Sequence, residues 1–223
     1  MSIIDIPTEQ TTAVTDIFLA IMALAVSIVV YRIGNSRDRK KALIWTWAFS
    51  LLAVAAIFGA AAHGFQMTER TNFILWQPIN LSLGLTVALF SAGVVYDLKG
   101  FELPRVIIPA FIVTGLGFYF MTILFPGAFI VFILYEAVAM LFALVAYLTL
   151  SFRKKNSAYW FMAAGILISI IASGIQATNS IRFTLVWEFD HNGIFHLVQM
   201  IGLVFLLLGL RSSFLTHSVT KRT

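Results

Sequence analysis

The chain contains no cysteine, which excludes disulfides, thiolate nucleophiles and zinc–cysteine sites. Charge is almost as scarce. Only 11% of the 223 residues are charged and 60% are hydrophobic, whereas an ordinary soluble domain carries about 25% charged residues. A soluble protein of this composition could not cover its own surface, so lipid is the expected solvent. The start of the chain lacks a basic n-region, and Asp5 and Glu9 precede the first apolar run, the opposite of a cleavable signal peptide. The first helix is therefore expected to stay. The formal net charge of +5 implies no nucleic-acid partner, because the basic residues flank hydrophobic runs and follow the positive-inside bias.

A hydrocarbon core of about 30 Å takes about 20 apolar residues in a helix. That criterion predicts an all-α fold, a seven-transmembrane helix bundle forming one domain over residues 1–223, with spans near 14–33, 42–64, 74–96, 104–124, 127–150, 157–179 and 192–212. Pro126-Gly127 marks a turn between the fourth and fifth spans. Without it, one helix would run about twice the length a bilayer holds. Thirteen of the fifteen basic residues lie on one side of these spans: Arg32, Arg37, Arg39, Lys40, Lys41, Lys99, Arg105, Arg153, Lys154, Lys155, Arg211, Lys221 and Arg222. Arg70 and Arg182 lie on the other. The bias predicts an N-terminus outside and a C-terminus in the cytoplasm. Trp45, Trp47, Trp76, Trp160 and Trp187 fall near span ends and read as interfacial anchors. Gly165, Ser169 and Ser173 form a small-residue ridge suited to close helix approach.

With direction assigned, the polar residues of the spans share one depth. Asp16, His63, Gln77, Asn80, Glu136, Gln176, Asn179, Asn192, His196 and Gln199 all fall in the outer halves, and the inner halves are expected to hold almost nothing comparable. Ionisable groups cost about 2.5–3.5 kcal/mol to insert, so they normally face a bundle interior or a wet cavity. Asn192, His196 and Gln199, spaced i, i+4 and i+7, share one face of the last helix. His191 joins that face only if the helix starts after it, and Asp190 reads as the N-cap. His63 and His196 are the preferred pair, with His191 third. Plainer roles exist for each residue: a carbonyl bond for His63, an interhelical hydrogen bond for Glu136, anchoring of the first span for Asp16, and backbone satisfaction at a helix start for Gln77, which precedes Pro78.

Seven spans, with a histidine ending the second and another opening the seventh, resemble the ceramidase and adiponectin-receptor superfamily. Members hold zinc near the N-terminal side of the membrane and use it to hydrolyse a lipid amide. On that resemblance, His63 matches the span-two ligand and His196 the second span-seven ligand. The first span-seven ligand position is Asn192, with His191 beside it. The assisting serine position is Gly59, and span three offers Gln77 and Asn80 where the family has an aspartate. The last-helix stretch is also similar to bacterial seven-helix proteins without an assigned activity. The resemblance implies a zinc cofactor; on coordination chemistry, the imidazoles of His63, His191 and His196 would suffice to hold it, with Glu136 or Asp16 as catalytic base or supporting group.

Two main functions follow as expectations: a metal-dependent hydrolase of lipids or amphiphiles, or a non-enzymatic binder or sensor of a lipid or small molecule in the same chamber. A proton-coupled transporter using Glu136 and a haem carrier using His63 and His196 are the lesser alternatives. A retinal-binding pump is excluded, since no predicted span contains a lysine for the Schiff base. The partners expected are the bilayer and a lipid or small ligand, and the location expected is a bacterial plasma membrane.

Overall fold

In the computed structural model, which describes residues 2–99, 104–125, 129–178 and 180–220, seven helices are long and apolar enough to cross a membrane. They are α1 (Pro7–Gly34), α2 (Arg39–Gly64), α3 (Glu69–Lys99), α4 (Ile107–Leu124), α5 (Phe129–Lys154), α6 (Ser157–Ala177) and α7 (His191–Thr220). Two antiparallel two-stranded ladders sit at the end where the chain starts. β1 (Ser2–Ile3) pairs with β2 (Phe65–Gln66), and β3 (Phe183–Thr184) pairs with β4 (Glu188–Phe189) in the α6–α7 connection.

Local chemistry sets the helix starts. Pro7 opens α1, where its fixed φ suits a helix and its missing N–H costs nothing. The Asp38 carboxylate accepts from Lys41 N at 3.1 Å and caps α2, and Asn156 Oδ1 accepts from Ala158 N at 2.9 Å and caps α6. Pro78 lies inside α3, so Gln77 does not mark a helix start as expected. Its side-chain amide donates instead to Phe73 O at 3.1 Å, one turn back.

Helix α1 shows how the bundle is turned for lipid. Ile17, Phe18, Ile21, Leu24 and Ile28 form an exposed apolar stripe, while Thr12, Thr15, Asp16 and Ser27 are buried with Leu19, Ala23 and Val26. Polar groups inside and hydrocarbon outside is the arrangement of a membrane-embedded bundle. The molecule is an integral membrane protein by this architecture. Helices α1, α2, α3, α6 and α7 pack most closely, and α4 lies at the edge against α3 and α5. The α6–α7 contact uses the small-residue ridge: a Cβ at Gly165 would stand 2.9 Å from the Leu206 side chain and 3.0 Å from Gly202 O, so only glycine admits this spacing.

Two expectations are overturned here. Trp45 is not interfacial; it is completely buried, edge-on to Phe90 and stacked on Phe49. Trp76 also turns inward, against the His63 ring. Trp47, Trp160 and Trp187 are exposed. The second correction concerns the basic end, opposite the N-terminus. Lys41 is not a loop charge but 2% exposed. Its ammonium meets Asp97 Oδ1 at 2.5 Å and donates to Ser213 Oγ at 2.9 Å. Tyr147 donates to the other Asp97 oxygen at 2.7 Å, and Tyr96 donates to Asp38. The network ties α2, α3, α5 and α7 together.

Removing one member of a buried, hydrogen-bonded ion pair strands the other charge at a cost of about 3–5 kcal/mol. Lys41→Met is therefore expected to lower the thermal midpoint in detergent more than the double variant Lys41→Met, Asp97→Asn, although the double variant loses more native groups.

Candidate functional site

At the N-terminal end, α1 and α7 are sewn together by side chains. Asp190 precedes α7, and its Oδ1 accepts from Asn192 N at 3.0 Å and Gly193 N at 2.9 Å, which is the N-cap expected from the sequence. The same oxygen accepts from Thr12 Oγ1 at 3.0 Å. One helical turn further in, His196 Nδ1 is 3.0 Å from Thr15 Oγ1, and His196 Nε2 stands 3.3 Å from Asp16 Oδ1. Both members of that pair are nearly inaccessible, Asp16 at 4% and His196 at 6%.

The Thr15 hydroxyl has one proton and two acceptors within reach, Thr12 O at 2.9 Å and His196 Nδ1. When it donates to Thr12, Nδ1 must supply the proton of its own contact. The Nε2–Asp16 contact then needs a proton on one partner, and either can carry it. Asp16 and His196 thus share a place for one mobile proton.

The other Asp16 oxygen, Oδ2, is buried with no hydrogen-bond partner. Gly59 on α2 makes room for it: a Cβ there would stand 2.9 Å from Oδ2. His63, one turn along α2, turns to a different acid, with Nδ1 2.6 Å from Glu9 Oε2 on α1. The two preferred histidines are each paired with a separate carboxylate.

A cavity of about 140 Å³ opens beside these groups, walled by α1, α2, α3, α5, α6 and α7. Asp16, His63, Glu136, Gln176, His196 and Gln199 contribute its polar part. Phe49, Leu52, Val87, Phe90, Leu203 and Leu206 contribute much of the apolar remainder. Glu136 lies close to the Ser173 hydroxyl of α6, which is itself buried without a hydrogen bond.

Other sequence candidates fall elsewhere. Gln77 bonds its own helix, and Asn80 does not line the cavity. Asn192 Oδ1 accepts from Gln176 Nε2 at 3.3 Å, which ties α7 to α6 at the rim. Asn179 lies outside the described residues. His191 is the first residue of α7, and its Nδ1 is buried without a partner, away from the cavity lining. Glu9, Thr12 and Thr15 belong to the cluster but were not singled out in the sequence. The signal available was the i, i+3, i+4, i+7 spacing of Glu9, Thr12, Ala13 and Asp16, which puts the polar three on one helix face.

The zinc reading meets a geometric difficulty. Among the described residues, no group of three or more histidines and acids is placed to hold a metal ion. The reasons are visible: His63 is committed to Glu9, His196 to Asp16 and Thr15, and His191 does not join them. As arranged, the three imidazoles do not fit a zinc ion.

Asp190 satisfies two backbone donors and one hydroxyl, so Asp190→Ala is expected to cost about 2–3 kcal/mol in unfolding free energy. Asp190→Asn, which keeps the accepting oxygen, is expected to lose less than half of that in the same denaturation measurement.

No curated protein and no solved structure matches the sequence, so the likeness to ceramidases and adiponectin receptors gains no support from comparison. One family does match. It spans residues 11–213, from the first turns of α1 to the far part of α7, and therefore takes in every cavity-lining residue. The chain belongs to this family, a family of unknown function (DUF6962).

Proposed function

We propose that this membrane protein binds a small amphipathic molecule in the cavity between its helices, as a binding or sensing protein rather than a zinc hydrolase. The observation that carries the reading is the cavity itself. It has a mainly apolar wall with a few convergent polar groups at one end, the common form of a small-ligand site. Its size of about 140 Å³ is close to the roughly 150 Å³ of an apolar cavity that admits benzene. That favours a molecule of about six to ten non-hydrogen atoms over a two-chain lipid.

A buried polar atom supports the same reading. Burying a polar group without a partner costs about 1–3 kcal/mol, and Asp16 Oδ2 incurs that cost. A ligand or water supplying the missing bond would offset it. The charge distribution, thirteen basic residues against two, supports a polar end that faces the extracytoplasmic side, with the C-terminus in the cytoplasm. In a bacterium, that membrane would be the plasma membrane.

The test is thermal denaturation of the full chain in nanodiscs with benzene-sized amphiphiles such as 2-phenylethanol and phenethylamine. At least one is expected to raise the midpoint in a saturable manner. Thr86 lines the cavity, so Thr86→Phe should fill it and abolish the shift while retaining a cooperative transition. An unchanged shift in Thr86→Phe, or no shift in the unaltered protein, would contradict the reading.

A further inference from the structure

We propose that the ligand of this cavity is a small organic amine, its ammonium recognised by the Asp16 and Glu136 carboxyls and its apolar body by the phenyl and leucine walls. The inference deepens the small-ligand reading above and rests on it.

Charge selects the ligand class first. Two carboxyl groups, from α1 and α5, line one largely apolar cavity, and no lysine or arginine is among the lining residues. The basic groups that line it are His63 and His196. His63 faces Glu9, which is not part of the lining, and His196 is held by Thr15 and one oxygen of Asp16. A carboxylate or phosphate ligand would meet two acids and no uncommitted cation. An ammonium, with donors only, meets acceptors.

Hydrogen-bond accounting points the same way. Asp16 is 4% exposed, and its Oδ2 has no partner within the protein. An oxygen buried this way needs a donor, and the groups around it supply none. The carboxyl packs against Gly59, where a Cβ would stand 2.9 Å from Oδ2. Asp16 lines the cavity, so a turn of its carboxyl toward the cavity would let a bound ammonium provide the missing donor. Glu136 offers a second acceptor on the cavity wall. Gln176 and Gln199 add amide oxygens nearby.

The walls suit an organic cation better than an inorganic one. Phe49, Trp76, Phe90, Phe132 and Phe195 line the cavity, and aromatic faces attract alkylammonium groups once water is excluded. A bare calcium or magnesium ion would need about six or more oxygen ligands, and among the described residues no group of three or more histidines and acids is placed to hold a metal ion.

Three near-isosteric probes separate these possibilities: phenethylamine, 2-phenylethanol and phenylacetate. Their affinities would be measured by titration calorimetry near neutral pH on the full chain in nanodiscs. The amine is expected to bind about tenfold or more tighter than the alcohol, as one or two charge-assisted hydrogen bonds would give, and the acid more weakly than either. In Asp16→Asn and in Glu136→Gln, the advantage of the amine should fall to within about threefold, with the alcohol little changed. Glu136→Gln alone decides the matter if Asp16→Asn does not fold. Equal binding of amine and alcohol, tighter binding of the acid, or an amine preference that survives both substitutions overturns the inference and leaves the small-ligand reading standing. Failure of all three probes to bind overturns both.

Discussion

A polar group inside a bilayer has no water to turn to, and the bundle answers that constraint differently at its two ends. In the Lys41–Asp97 network at the basic end, the donors and acceptors close on one another, although Trp45 Nε1 and Thr46 Oγ1 of the same half are buried without a partner and away from the network. Lys41 meets Asp97 and Ser213, and Tyr147 takes the second Asp97 oxygen. At the N-terminal end, the accounting does not close. Asp16 meets His196 with one oxygen and nothing with the other. The first cluster behaves as structure, since every charge in it is spent on holding four helices together. The second stands on a cavity, with bonding capacity left over. A carboxylate oxygen left without a partner beside a cavity, rather than the presence of histidines, is what supports the proposal of a ligand site in the N-terminal cluster.

The geometry of the N-terminal cluster follows from two helix starts. Pro7 lets α1 begin early, so Glu9, Thr12, Thr15 and Asp16 lie on the inward side of a continuous helix. Asp190 caps α7 and sets its rotation, which directs His196 at Asp16 and leaves His191 outside the group. Thr12 binds the cap itself, so the position of α7 is coupled to that of α1. A ligand that changes the Asp16–His196 contact would act directly on the α1–α7 seam.

Much of this was legible in the sequence because membrane spans are a strong signal. Run length located seven helices, and the Pro126-Gly127 turn signal, which lies outside the described residues, predicted a break between α4 and α5, which end at Leu124 and begin at Phe129. The Asp190 cap was legible because capping is local chemistry. Side-chain partnering was not. Lys41 looked like a cytoplasmic loop charge, and its partner Asp97 is fifty-six residues away, brought to it by packing that no local pattern encodes. Trp45 looked interfacial by its place in the span, yet the space between α2 and α3 takes it whole. His63 and His196 both line the cavity, but the acids that hold each ring, Glu9 and Asp16, set them to separate partners. The expected zinc ligands fail to converge for that reason.

The absence of cysteine provides a clean background for the most direct test of a polar chamber inside the bundle. Gln199 lines the cavity, whereas Ile201, about 200° around the same helix, is 53% exposed on the lipid-facing surface. A thiol reacts as the thiolate, which forms only where water reaches it. Labelling rates of Gln199→Cys and Ile201→Cys with a small, water-soluble, cationic thiol reagent in intact membranes should differ by about tenfold or more in favour of position 199. Equal rates, or faster labelling at position 201, would contradict the account.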